Sequence, residues 1–330
     1  MGQAWEPWAA AAFAPIAVWV LWRLQILSVE LLRWRLVKLA GWRGTRWLYS
    51  IVSWFGVFLH ELSHASVLLL SGHGVKQFRA GVEQGHVLPT RMRRGPIAFL
   101  SFLLAALAPL FIPPALVLGG LLLLVDPNLL GLQDGGAGLQ GAVDVLRHEF
   151  VDFPAALARA LAGLDLAAWP QAVVFALVLV GMPSSRPSHI KGSRFHGTSD
   201  EGDVAVLRSR IRQNPFIFIA FLAVLYAAYF AATAVAAASR PYWFAFEVLW
   251  AIALTGIVLA VAGAVWWTLT GLMARTIAPF GWLGPLAFVA SQVVLRAPHT
   301  LSVVQVNGLS VAIWAGVALA LLVLLPRRRG

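Results

Sequence analysis

Long apolar runs alternate along this chain with short charged intervals, and most of the runs have the length of a bilayer crossing. A spanning helix needs about 20 mostly apolar residues. Runs of that kind occupy residues 8–28, 47–71, 96–125, 215–238, 244–272 and 301–325. A shorter one begins at Trp169, "WPQAVVFALVLVGMP", and a fainter one covers 276–295, where Pro279 and Pro285 allow either an eighth span or a re-entrant segment. The pattern predicts an all-α polytopic membrane protein of about 6–8 transmembrane helices. Pro109, Pro113 and Pro114 predict a bend in the run at 96–125. Between the second and third runs, "GHGVKQFRAGVEQGHVLPTR" sets the β-prone pieces Val75 to Phe78 and His86 to Leu88 between Gly-containing turns. It predicts a small β-hairpin docked at the membrane face.

Charge distribution orients these runs. Residues 73–95 carry Lys76, Arg79, Arg91, Arg93 and Arg94 against Glu83, whereas 126–168 carry Asp126, Asp134, Asp144, Glu149, Asp152 and Asp165 against Arg147 and Arg159. The positive-inside rule puts 73–95 in the cytoplasm and 126–168 outside. By alternation the basic stretch 184–214 is cytoplasmic. Residues 29–46, with Arg33, Arg35, Lys38, Arg43 and Arg46, break the alternation, which is met if the first run lies in the interface instead of spanning.

Composition narrows the chemistry. The 330 residues are 60% hydrophobic and only 12% charged, so a net charge of +11 spread over short loops reads as attraction to the lipid bilayer and not as a nucleic-acid surface. Trp42, Trp47, Tyr242 and Trp243 fit interfacial belts. No secretory or myristoylation signal is expected at "MGQAWEPW". There is no cysteine, so disulfides, thiolate metal sites and cysteine nucleophiles are excluded. Any metal rests on His, Asp or Glu.

The second run contains "FGVFLHELSHASVLLL". On a helix, residues four apart are offset by about 40 degrees, so His60 and His64 project from one face and can share one ion. Glu61 stands beside them as a general base. This is the HExxH arrangement of zinc hydrolases, in which the metal lowers the pKa of its water to near neutrality. A carboxylate near a bilayer core costs on the order of 3 kcal/mol, so Glu61 is rarely kept there without a role. Catalytic zinc takes a third protein ligand. The position six past His64 is Leu70, which excludes the HExxHxxGxxH class, and His73 belongs to the loop.

The "HELSH" of 60–64 in a membrane helix, the hairpin-like loop at 73–90, the following "AALAPLF" at 105–111 and a later helix ending in a polar, Pro-rich stretch together resemble the site-2 protease family of intramembrane zinc metalloproteases. The likeness covers residues 46 to about 200. It implies a core at 46–200 (HExxH helix, loop 73–95, helix 96–125, outer loop 126–168, helix 169–183 and a third-ligand loop), preceded by a hydrophobic or interfacial segment at 1–45 and followed by transmembrane helices at 201–330. It also implies one zinc ion per chain, Glu61 as the catalytic base, and a membrane protein substrate with a transmembrane segment. The family's third ligand is an Asp, usually before Gly. The equivalent stretch here, "GMPSSRPSHIKGSRFHG" at 181–197, has none. His189 is the expected ligand, with His196, Asp200 and Asp203 as alternatives. The active site is expected toward the cytoplasmic side.

Rival readings are a CAAX-type membrane zincin using Glu247, a di-iron oxygenase, for which eight scattered histidines are too few, and a catalytically inactive protease-like scaffold or transporter. His86 reads as a solvated hairpin residue and Asn307 as a helix–helix hydrogen-bonding group.

Overall fold

A computed structural model describes residues 46–82, 85–91, 95–131, 147–180, 211–234, 239–276, 283–297 and 300–324, together with Ser209 and scattered helical positions between 16 and 32. The elements in order are α1 (Arg46–Leu70), β1 (Val75–Ala80), β2 (Gly85–Pro89), α2 (Pro96–Leu124), a π-helical turn (His148–Asp152), α3 (Phe153–Ala162), α4 (Trp169–Val180), α5 (Pro215–Ala234), α6 (Ser239–Thr276), α7 (Leu283–Arg296) and α8 (Val303–Leu324). Among the described residues, four helical stretches are long and apolar enough to cross a membrane: Tyr49–Leu70, Pro96–Leu124, Val248–Gly271 and Val303–Leu321. A helix satisfies its own backbone polar groups, which lipid does not. Such helices mark a membrane protein. The apolar stretches Trp169–Leu179, Pro215–Ala228 and Leu283–Arg296 are shorter, and α4, at 12 residues, rises only about 18 Å.

Residues 71–74, "SGHG", end α1 for a definite reason. Gly72 takes φ 74°, which L side chains resist. That lets His73 N–H reach the Leu68 carbonyl at 3.0 Å and Gly72 N–H reach Leu69 at 3.0 Å, closing a Schellman motif. The chain then doubles back into β1 and β2, which pair antiparallel with Phe78 opposite Val87 and Arg79 opposite His86. The expected hairpin is present and packs along α1. Phe78 packs edge-on against Phe58 with ring centres 5.8 Å apart, and Ser53 donates to the Val82 carbonyl at 2.5 Å. Strands rise about 3.3 Å per residue against 1.5 Å for a helix, so ten hairpin residues climb past nearly twenty of α1.

At the centre, α2 packs against α1, α4 and α6. Val117, Leu118 and Leu121 are buried with Val52 of α1, Val174 of α4, Leu157 of α3 and Leu259 of α6. The helix stays continuous through Pro109, Pro113 and Pro114. Proline has no N–H, so each frees the carbonyl four residues earlier from its helical bond. Pro114 releases Leu110, and Gln25, fully buried, donates to that oxygen at 2.7 Å. Gly256 of α6 leaves the space, since a Cβ there would stand 2.7 Å from Gln25 Nε2.

A polar clamp ties the end at which α2 finishes. Asn307 of α8 donates to the carbonyls of Ala162 and Leu164 at 2.7 and 2.8 Å and accepts from Gln292 of α7 at 2.9 Å. Arg296 pairs with Asp165, and Gln171 of α4 accepts from Asp165 N–H at 2.5 Å while donating to Leu124 at 3.1 Å. The Arg296 hydrogen bond holds the Asp165 carboxyl below its ordinary pKa. The helix–helix bond expected of Asn307 is therefore made, to Gln292. Next to the clamp, aromatic rings do interior packing: Trp266 stacks on Trp314 with centres 4.6 Å apart and meets Phe288 edge-on at 5.5 Å.

Candidate active site

His60, Glu61 and His64 occupy one turn of α1 near its hairpin end. Their sequence spacing produces the contact it predicts: the imidazoles cross at 84° and their Nε2 atoms lie 3.0 Å apart. Two nitrogens on one tetrahedral zinc, each at about 2.0–2.1 Å, stand about 3.3 Å apart. The pair fits a shared ion. Both rings are half-buried and Glu61 is 7% exposed, so the group is enclosed without being sealed.

The orientation of His64 is fixed from outside its own helix. His64 Nδ1 lies 2.7 Å from the carbonyl oxygen of Ala105 in α2. A carbonyl only accepts, so Nδ1 carries the hydrogen and Nε2 presents its lone pair toward His60. The 3.0 Å nitrogen–nitrogen contact then places a hydrogen on His60 Nε2.

Glu61 packs against the hairpin. Gly85 opens β2 directly against it. A Cβ at position 85 would stand 2.5 Å from Glu61 Cγ, 2.7 Å from Oε1 and 2.8 Å from Val57 Cγ1. Only a residue without a side chain lets the strand run this close. The hairpin faces alternate accordingly: Phe78 and Gly85 lie toward α1, while the cross-strand pair Arg79 and His86 lies on the opposite face.

The remaining sequence candidates separate cleanly. His73 is 1% exposed at the base of the hairpin, with Nδ1 3.2 Å from the Arg91 carbonyl and its ring against Phe102. Among the described residues, no group of three or more His, Cys, Asp or Glu side chains is placed to hold one metal ion, so His73 does not complete the His60–His64 pair. His189, His196, Asp200 and Asp203 lie outside the described residues. The helix leading to them, α4, packs against α1, and its last turn is tied to α6 by Trp267 donating to the Leu179 carbonyl at 3.0 Å. The backbone of Glu247 lies one turn before Trp250, whose ring meets Phe150 of the π-helical turn.

Two contributors escaped the sequence reading, the Ala105 carbonyl and Gly85. Pro109 was the available signal for the first, since it releases the oxygen four residues before it. Comparison of the chain with models of known protein families, with curated proteins and with solved structures finds no match.

Proposed function

We propose that this protein is an intramembrane zinc-dependent endopeptidase of site-2 protease type, hydrolysing peptide bonds in or near the transmembrane segments of membrane-anchored proteins. One observation carries the reading: two imidazoles with Nε2 atoms 3.0 Å apart and an adjoining buried carboxylate, on one turn of an apolar helix. His60 and His64 would hold the ion through Nε2, with His189 as the third ligand, reached through the segment that follows α4. A bound zinc ion supplies Lewis acidity toward a peptide carbonyl and toward water. Glu61 takes the proton of the attacking water and returns it to the departing amine nitrogen, a role its place beside both imidazoles allows. The hairpin, by supporting Glu61, keeps that carboxylate where the proton is exchanged.

The four long helices, with the shorter α4, α5 and α7 and the N-terminal apolar run, are compatible with 6–8 spans. Under the positive-inside rule the basic hairpin side of the molecule is cytoplasmic. The site then lies on the cytoplasmic half of the bilayer.

The test is bound metal per chain, by elemental analysis, in detergent-purified wild type, His64→Ala and His189→Ala. The expected result is about one zinc per chain in the wild type and loss in both variants. Wild type without zinc under conditions that spare weak ligands overturns the reading and leaves a scaffold or transporter. Zinc retained in His189→Ala moves the third ligand to His196, Asp200 or Asp203.

A further inference from the structure

We infer that Pro109 is a positioning residue for the metal site: by withholding an N–H from α2 it leaves the Ala105 carbonyl open, and that oxygen sets the tautomer and ring orientation of His64. The inference rests on the zinc-site reading above.

In an uninterrupted helix the N–H of residue 109 would bond the carbonyl of residue 105. Pro109 has none, yet α2 stays helical on both sides of it. A carbonyl without its helical partner is costly in an apolar setting and must find another donor. The donor it finds is His64 Nδ1–H, at 2.7 Å and 41 residues away in sequence. One event therefore meets two needs. The backbone oxygen is satisfied, and His64 is locked with Nδ1–H outward and the Nε2 lone pair toward His60.

The same helix performs this operation again at Pro114. Pro114 opens Leu110, and Gln25 Nε2 supplies the donor at 2.7 Å. In that case the partner is a neutral amide with no bearing on His60 or His64. The Pro114 pair is thus an internal control: identical backbone chemistry, different client.

An amide at position 109 would not remove the oxygen but would compete for it. Ala105 has two lone pairs, so His64 would keep a weaker, shared bond and the imidazole would sample both tautomers. Partners of this kind that orient a ligating histidine are typically worth 10–100-fold in metal affinity.

The experiment uses the full chain in detergent, selectively labelled with 15N-histidine and free of metal, with His64→Gln to assign the His64 signals. Imidazole nitrogen shifts report which nitrogen carries the hydrogen. The wild type is expected to show His64 as the Nδ1–H tautomer. Pro109→Ala is expected to give a mixture and to weaken zinc affinity by roughly tenfold or more, whereas Pro114→Ala leaves both unchanged. An Nε2–H tautomer in the wild type overturns the inference without any variant having to fold. Equal effects of the two proline variants also overturn it, because they would show general loosening of α2. Absence of zinc binding with the Nδ1–H tautomer intact defeats the zinc reading and the role in metal binding that rests on it, while the proline-carbonyl-histidine contact stands.

Discussion

Two polar clusters sit half-buried among these helices, and they are built on opposite plans. At the end of α2 the Asp165–Arg296 pair, Gln292, Asn307 and Gln171 form a closed circuit in which donors meet acceptors within the cluster or on nearby backbone carbonyls. At the hairpin end, the His60 and His64 nitrogens face each other at a separation suited to an ion, and Glu61, next in sequence to His60, lies against Gly85 of the hairpin. The first cluster consumes its polarity in holding α7 and α8 onto α3 and α4. In the second, the Ala105 carbonyl orients His64 and Gly85 packs against Glu61. In an apolar surrounding a satisfied network favours one assembly, whereas the proposed function assigns the second cluster to chemistry.

That contrast is broken most sharply by Glu61→Gln, an isosteric change. It is expected to abolish cleavage of a transmembrane substrate by roughly 100- to 10,000-fold while leaving zinc content and thermal unfolding near wild type. Retained cleavage would place Glu61 with the clamp residues, as structure only. Gly85→Ala comes next. Its Cβ meets Glu61 Cγ at 2.5 Å, so strand or carboxylate must shift. Turnover should fall on the order of 10- to 100-fold, with zinc retained. Unchanged turnover at normal expression would show that the hairpin does not aim the base.

Asn307→Leu should do the reverse, sparing zinc and turnover while destabilising the protein by about 2 kcal/mol in thermal or SDS unfolding, since the carbonyls of Ala162 and Leu164 lose their donor. A loss of zinc there would dissolve the distinction between the two clusters. The smallest effect concerns acid. The folded-state pKa of Asp165 lies below its ordinary 3.8, so its pairing contributes in full above that value and is lost as pH falls through the lower, folded value. The difference in melting temperature between wild type and Arg296→Gln should be constant from neutrality down to about pH 5 and shrink at lower pH.

Much of the local architecture was legible in the residues. The apolar runs at 47–71, 96–125, 244–272 and 301–325 contain the four long helices, because a bilayer demands length and apolarity and both are local properties. The hairpin was legible from its Gly-bounded β-prone pieces, and the His60–His64 contact from a four-residue interval on a helix. The interval at 126–168 was read as a plain outer loop, yet it contains α3, whose ten residues bury Phe153, Leu157 and Ala160. Its pattern is too short to separate from a connection until something packs on it.

By itself, then, the sequence determined the long apolar helices and the hairpin, and that two imidazoles and a carboxylate share a turn. Only the tertiary structure decided which segments serve one another. Pro109 announces an open carbonyl at Ala105, but nothing within α2 says that His64 will fill it. Gly85 announces a close approach without naming Glu61, and Asp165 and Arg296 lie 131 residues apart. The reason is physical: backbone geometry and burial preference act over a few neighbouring residues, while the partner of a polar group in an apolar medium is set by which helix comes to lie beside it.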